Sequence, residues 1–173
     1  MKLDILAFGA HPDDVELGCG GTLAKAVSEG KKVGIIDLTQ GEMATRGTPK
    51  LRAIESQTAA EILGVYFREN LNFKDAFIFN NENNQINVIK VIRKYQPKVI
   101  LCNAIKDRHT DHAKASDLVR HACFLSGYNV LKHKTMMVVY KLHLGLFTFF
   151  ITFNGMNLAQ ILWLTYLDFY KKR

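Results

Sequence analysis

His11-Pro12-Asp13-Asp14 and Asp107-Arg108-His109-Thr110-Asp111-His112 are the two stretches of this chain whose residue types can do chemistry together. Neutral imidazoles with one carboxylate suit a borderline metal such as zinc. Three protein ligands that leave a fourth position open make a hydrolytic centre rather than a structural one. His11 and Asp14 stand three apart across a turn that Pro12 stiffens, and His112 completes the set from the second stretch. Asp13 is then a carboxylate beside the ligands, free to act as general base toward a water at the metal. His109 precedes His112 by three residues, and Asp111 can hold an imidazole in one tautomer. Each stretch also has an ordinary reading, a solvated turn for the first and a helix start capped by Asp111 for the second.

The elements that must position these residues decide between the readings. Apolar runs without helical period predict strands at Leu3 to Gly9, Lys32 to Leu38, Val65 to Leu71 and Val99 to Cys102. Helices are predicted at Thr22 to Ser28, Pro49 to Leu63, Asn84 to Tyr95 and Asp111 to Leu125. In the second of these, Leu51, Ile54, Ala59, Ile62 and Leu63 supply the apolar stripe; in the third, Ile86, Ile89, Ile92 and Tyr95 do. Strands separated by helices require crossovers, hence an α/β fold: a Rossmann-like, three-layer, mainly parallel sheet with helices on both faces. Ligands bind such sheets beyond the carboxyl ends of the strands. The two reactive stretches follow the first and fourth strands, so they fall on one rim, and that conjunction favours the metal centre.

Composition narrows the alternatives. With 48% hydrophobic and 23% charged residues in 173, the chain is globular and long enough to bury a core without disulfides or metals as staples. The net charge of +7 sits mostly in the tail: residues 1–130 carry 17 basic and 15 acidic side chains, residues 131–173 six and one. Mixed charge over the first 130 residues argues against nucleic acid as a partner. Cys19, Cys102 and Cys123 are scattered among apolar neighbours, which suggests neither disulfides nor a thiolate site and fits a reducing cytoplasm. Gly18, Gly20 and Gly21 do not form the G-x-G-x-x-G run of a dinucleotide loop and read as close helix-to-sheet packing. Arg46 and Arg52 follow the second strand, where they can meet an anionic substrate group. Cys102 reads as strand core, and His121 as an ordinary helix histidine.

A-H-P-D-D-V-E after a glycine-ended strand, together with D-R-H-T-D-H, resembles the LmbE-like (PIG-L-type) family of zinc-dependent de-N-acetylases. D-L-T-Q-G-E, R-G-T-P-K-L-R, I-R-K-Y-Q-P and L-C-N-A-I resemble its bacillithiol biosynthesis branch, and the likeness covers residues 1 to about 127. The resemblance implies hydrolysis of the N-acetyl group of an N-acetylglucosaminyl substrate, the malate conjugate in that branch, with one zinc ion. It further implies His11, Asp14 and His112 as ligands, Asp13 as base, and His109 as oxyanion or leaving-amine partner with Asp111 behind it. Arg52 would hold the substrate's anionic part. For the intact family fold it also implies a homo-oligomer.

From about Tyr128 the likeness stops. Leu142 to Leu167 contains no Asp, Glu, Lys or Arg and has basic flanks, which reads as a membrane-helix candidate interrupted by Asn154, Gly155, Asn157 and Gln160. The preferred reading is a one-base frameshift near codon 127. Taking the last base of each codon with the first two of the next turns Gly127 to Leu142 and Thr152 to Asp168 into polar, turn-rich text similar to the family's. Residues 1–127 are thus expected to be the catalytic core and 128–173 an aberrant apolar tail. In the family the missing part helps close the pocket and supplies an oxyanion donor. Such a donor contributes about 2.7–4 kcal/mol in the transition state, so ligands are expected intact and turnover weak or absent.

Overall fold

Leu6 and Phe8 are buried against one helical layer and Ala7 against the other, the mark of a central strand covered on both faces. The computed structural model describes residues 2–127, 140–144 and 147–151. In chain order these form β1 (Ile5–Gly9), α1 (Asp14–Ser28), β2 (Val33–Thr39), α2 (Pro49–Leu63), β3 (Phe67–Phe73), α3 (Glu82–Tyr95), β4 (Val99–Asn103) and α4 (Thr110–Ser126). Two further strands follow, β5 (Tyr140–Leu144) and β6 (Phe147–Ile151). The sheet order is β3-β2-β1-β4-β6-β5. The first four strands run parallel, and β6 joins β4 antiparallel, with β5 beyond it. This is the expected α/β, mainly parallel architecture.

The topology explains where a site can form. From β1 the chain steps outward to β2 and β3, then returns to place β4 on the other side of β1. The crossovers leave β1 in opposite directions, which opens a crevice at the carboxyl ends of β1 and β4. Leu6, Phe8, Ile36, Leu38, Ile100 and Cys102 pack with α3 and α4, while Ala7, Val33, Ile35 and Leu101 pack with α1.

Several local expectations need correction. α1 begins at Asp14 rather than Thr22: Val15, Cys19, Leu23 and Ala26 give it a buried face, and Asp14 and Glu16 complement its positive end. Gly18, Gly20 and Gly21 therefore lie inside the helix. A Cβ at Gly20 would meet only Glu16, at 4.0 Å, and one at Gly21 nothing within 4 Å, so neither glycine marks close packing. In α2 the predicted stripe faces outward, with Leu51, Ile54 and Ile62 exposed, and the buried positions are Ser56 and Ala60. In α3, Ile86 is exposed while Val88 and Val91 join the core.

The tail is described only in part. Residues 140–144 and 147–151 are strands, so the uncharged run begins in the sheet rather than in a helix. Among the described residues no helix is long and apolar enough to cross a membrane. The rest of the 142–167 run, and most of the text on which the shifted frame rests, lie outside the described residues.

Candidate metal centre

Ala10, at the end of β1, is held from both neighbouring strands. Its N–H donates to Asn103 Oδ1 of β4 at 2.9 Å, and its carbonyl accepts from the Thr39 hydroxyl of β2 at 2.8 Å. The His11-to-Asp14 turn leaves from this fixed point. Gly9 is needed below it, because a Cβ there would stand 3.0 Å from the His11 carbonyl oxygen and 3.2 Å from Asp14 Cβ. Asn103 Nδ2 reaches on to Asp14 Oδ2 at 3.0 Å, and the His11 N–H donates to the same oxygen at 2.9 Å.

The second stretch comes to meet it. His112, in the first turn of α4, places Nε2 3.1 Å from Asp14 Oδ1, while its Nδ1 meets Asp107 Oδ2 at 2.9 Å. His11 Nδ1 lies 3.4 Å from Asp14 Oδ2. Two donors at zinc-ligand distances of about 2.0–2.1 Å and tetrahedral angles lie about 3.3 Å apart. His11 and His112 meet Asp14 at different oxygens, Nδ1 at Oδ2 and Nε2 at Oδ1, and the donor types fit zinc. The structure brings the predicted ligands His11, Asp14 and His112 together, with Asp107 as the outer partner that fixes one imidazole.

Electrostatics follow from these contacts. Burial disfavours an ionised Asp14, but hydrogen bonds from His11 and His112 outweigh it and hold the carboxyl well below its usual range. Burial likewise opposes charge on His112, yet its bonds to Asp14 and Asp107 raise its pKa to about 9. For His11, burial is again overcome, here by Asp14 and Asp75, and the pKa rises. Asp107 is lowered by the His109 N–H first and by His112 second. Without metal, the carboxylates of Asp14, Asp75 and Asp107 thus favour the charged form of both imidazoles against their burial.

Asp13 occupies the N-cap of α1 but makes no side-chain capping bond. An aspartate there usually accepts from the first turn, worth about 1 kcal/mol. Here its carboxylate, 55% exposed, pairs with Arg52 Nη2 at 3.1 Å instead. Arg52 crosses from α2 over Gly41, whose carbonyl accepts from Nη1 at 3.2 Å. Asp13, Arg52, His11, Asp14, His109 and His112 border one cleft of about 330 Å³. Arg46 is outside it, on an adjoining depression that Asp13 and Arg52 also line. A larger depression of about 530 Å³, lined by amides including Gln40, Gln57, Asn70 and Asn72, contains none of the predicted site residues.

His109 and Asp111 sit differently from the expected pair. His109 caps α4, its Nδ1 accepting the Asp111 backbone N–H at 3.3 Å. That bond leaves the proton of the neutral ring on Nε2. The Asp111 carboxylate, fully buried, accepts from the Ala76 N–H at 2.7 Å and lies 3.5 Å from Lys114 Nζ and 3.7 Å from His11 Nε2. Its link to His109 therefore runs through the backbone.

Sequence reasoning missed Asp75, Asn103 and Asp107. Asp107 stood within the quoted second stretch, and Asn103 ends a predicted strand on the same rim; position was the available signal. Asp75, in the loop after β3, had none. Its neighbour Ala76 has φ 64°, a left-handed conformation that costs a non-glycine residue about 1–3 kcal/mol and is retained where surroundings enforce it. A buried arginine was also missed. Arg68 of β3 donates to Asp37 through Nε at 2.7 Å and Nη2 at 2.8 Å and also pairs with Glu16, tying the first turn of α1 to β2 and β3.

Residues 6–123 match the family model PIG-L, described as GlcNAc-PI de-N-acetylase. Among curated proteins, the chain is 36% identical over 125 residues to the uncharacterized deacetylase YaiS of Escherichia coli K12, covering 69% of this chain and 67% of that protein. It is 33% identical over 131 residues to the diacetylchitobiose deacetylase of Thermococcus kodakarensis, covering 70% of this chain and 46% of that one. Among solved structures, the conserved protein TT1542 from Thermus thermophilus superposes with a TM-score of 0.70 at 44% identity, over 73% of this chain and 57% of that one. The chain thus spans roughly half to two thirds of the length of these relatives. With its matched core, shared sheet and convergent histidine and aspartate loops, the chain belongs to the PIG-L family of de-N-acetylases.

Proposed function

We propose that this chain is a zinc-dependent deacetylase that hydrolyses the N-acetyl group of an N-acetylglucosaminyl conjugate, with the malate conjugate of bacillithiol biosynthesis as substrate. The observation that carries the reading is the meeting of His11, Asp14 and His112 beside Asp13 in one cleft. A zinc ion held by the three ligands would polarise the acetyl carbonyl and bring the pKa of a water to about 7.

The remaining work falls to side chains. Asp13 is excused from capping α1 and takes the proton of the attacking water. His109 Nε2–H, whose tautomer the start of α4 fixes, donates to the oxygen that gains charge as the carbonyl carbon becomes tetrahedral. The C–N bond then breaks, giving acetate and the free amino sugar, with the proton that Asp13 took from the water delivered to the leaving nitrogen. Arg52, and Arg46 beside it, take the anionic aglycone; Arg52 exchanges part of its contact with Asp13 for the ligand. The deacetylase names of the relatives support the reaction class. The three free, buried cysteines support a reducing, cytoplasmic setting.

Full-length chain loaded with zinc and offered N-acetylglucosaminyl-malate should release acetate slowly, faster than from free N-acetylglucosamine. Release should vanish in Asp13→Asn while bound zinc stays. Acetate release that persists in Asp13→Asn, or none above a zinc-free blank, contradicts the proposal.

A further inference from the structure

His11 has two ring nitrogens, and the metal centre uses one. Nδ1 faces Asp14 Oδ2, whereas Nε2 points the other way, 3.0 Å from Asp75 Oδ1. Asp75 is 5% exposed and fixed before it meets the ring. Its Oδ2 accepts the Met43 N–H at 2.9 Å, its Oδ1 accepts the Ala76 N–H at 2.8 Å, and its own N–H donates to Glu42 Oε1 at 2.8 Å. The loops after β2 and β3 thereby clamp one carboxylate against the far side of a ligand histidine.

We propose that Asp75 is a positioning residue of the metal centre, accepting the Nε2 proton of His11 so that Nδ1 presents its lone pair beside Asp14 and His112. The inference deepens the metal-centre reading and rests on it. A carboxylate on the outer nitrogen fixes both tautomer and ring orientation, and its loss typically weakens metal binding about 10–100-fold. Asp107 has the matching place on His112 Nδ1. Both imidazoles are then oriented from outside by an aspartate, one from the β3 loop and one from the β4 loop. Asp111, 3.7 Å from His11 Nε2 and already engaged by the Ala76 N–H and Lys114, flanks this contact.

The test uses the full chain with zinc alone as the probe. Chelator competition should give wild type and Asp75→Asn one zinc each, with affinity about 10–100-fold weaker in the variant. A merely loop-closing residue would lower the melting temperature of the chelator-treated protein and leave the affinity of the folded fraction unchanged, which overturns the proposal while leaving the metal centre standing. Wild type that binds no zinc removes both. Should the variant fail to fold, nitrogen NMR of histidine-labelled, zinc-loaded wild type decides alone. Nε2 of His11 protonated and Nδ1 metal-ligated supports the proposal, and the reverse assignment overturns it.

Discussion

His112 Nε2 stands 3.1 Å from Asp14 Oδ1, an imidazole in the first turn of α4 against a carboxylate in the first turn of α1. The two helices follow β4 and β1, adjacent parallel strands whose crossovers leave in opposite directions, so their N-termini open onto the same crevice. Chemistry is thus carried by side chains at two helix starts, and the backbone fixes both through Ala10, Asn103 and the His109 cap.

The metal-free chain should lose stability at alkaline pH. The folded-state pKa of His112 is about 9, above the ordinary value of 6.5, because Asp14 and Asp107 outweigh its burial. Its contribution is complete below about pH 6.5 and disappears as pH rises through about 9. Chelator-treated wild type should melt progressively lower between pH 6.5 and 9.5, and His112→Gln should show a shallower slope, with the share due to His11 remaining. Zinc-loaded protein should lack the slope, since its ligand imidazoles are already neutral.

Gly9→Ala should damage fold and site together. The added methyl would press on the His11 carbonyl, Asp14 and Val15 at 3.0–3.2 Å, in a turn fixed from both sides. A cost of about 1–3 kcal/mol is expected. Urea denaturation measures it, and zinc titration of the folded variant should show weaker binding.

Arg68→Met should be severe despite its distance from the ligands. Arg68 and Asp37 side chains are each 3% exposed, and removing the guanidinium leaves Asp37 buried without its partner. Breaking such a pair costs about 3–5 kcal/mol. Adding Asp37→Asn should recover part of the loss, and equal denaturation midpoints for the single and double variants would refute the clamp.

Arg52→Ala should behave in the opposite way. Its partner Asp13 is 55% exposed, so the pair contributes at most about 1 kcal/mol to stability. Melting should barely move, while KM for an anionic N-acetylglucosaminyl conjugate rises more than KM for the neutral sugar. An equal rise for both would remove Arg52 from aglycone recognition.

Sequencing the gene and its transcript tests the tail. An extra or missing base near codon 127 is expected, and an intact frame in independent transcripts would show 128–173 to be native text.

How far the sequence could be read depended on what each residue's signal was. β1, β2 and β4 were legible because buried parallel strands are apolar on both faces, whereas β3 is polar and starts two residues later than expected and β5 and β6 had been read otherwise. The candidate ligands stood out because their types lie close together at strand ends. α1 was shortened in the reading because Gly18, Gly20 and Gly21 weaken helix propensity; the packing of Val15, Cys19 and Leu23 overrides it. The α2 stripe was misread because its buried residues are small, Ser56 and Ala60, with the Ser56 carbonyl accepting from Arg68, whereas Leu51, Ile54 and Ile62 face out. Asp75 was invisible because a single aspartate in a loop has no periodicity; only its meeting with His11, 64 residues away, gives it meaning.

The central claim is that two loops far apart in sequence hold one ion. Metal analysis of purified wild type beside His112→Ala, each folded and equilibrated with zinc, tests it most directly. The account predicts one zinc per wild-type chain and none retained by the variant after desalting. A full equivalent retained by His112→Ala would take His112 out of the ligand set and contradict the convergence on which the function rests.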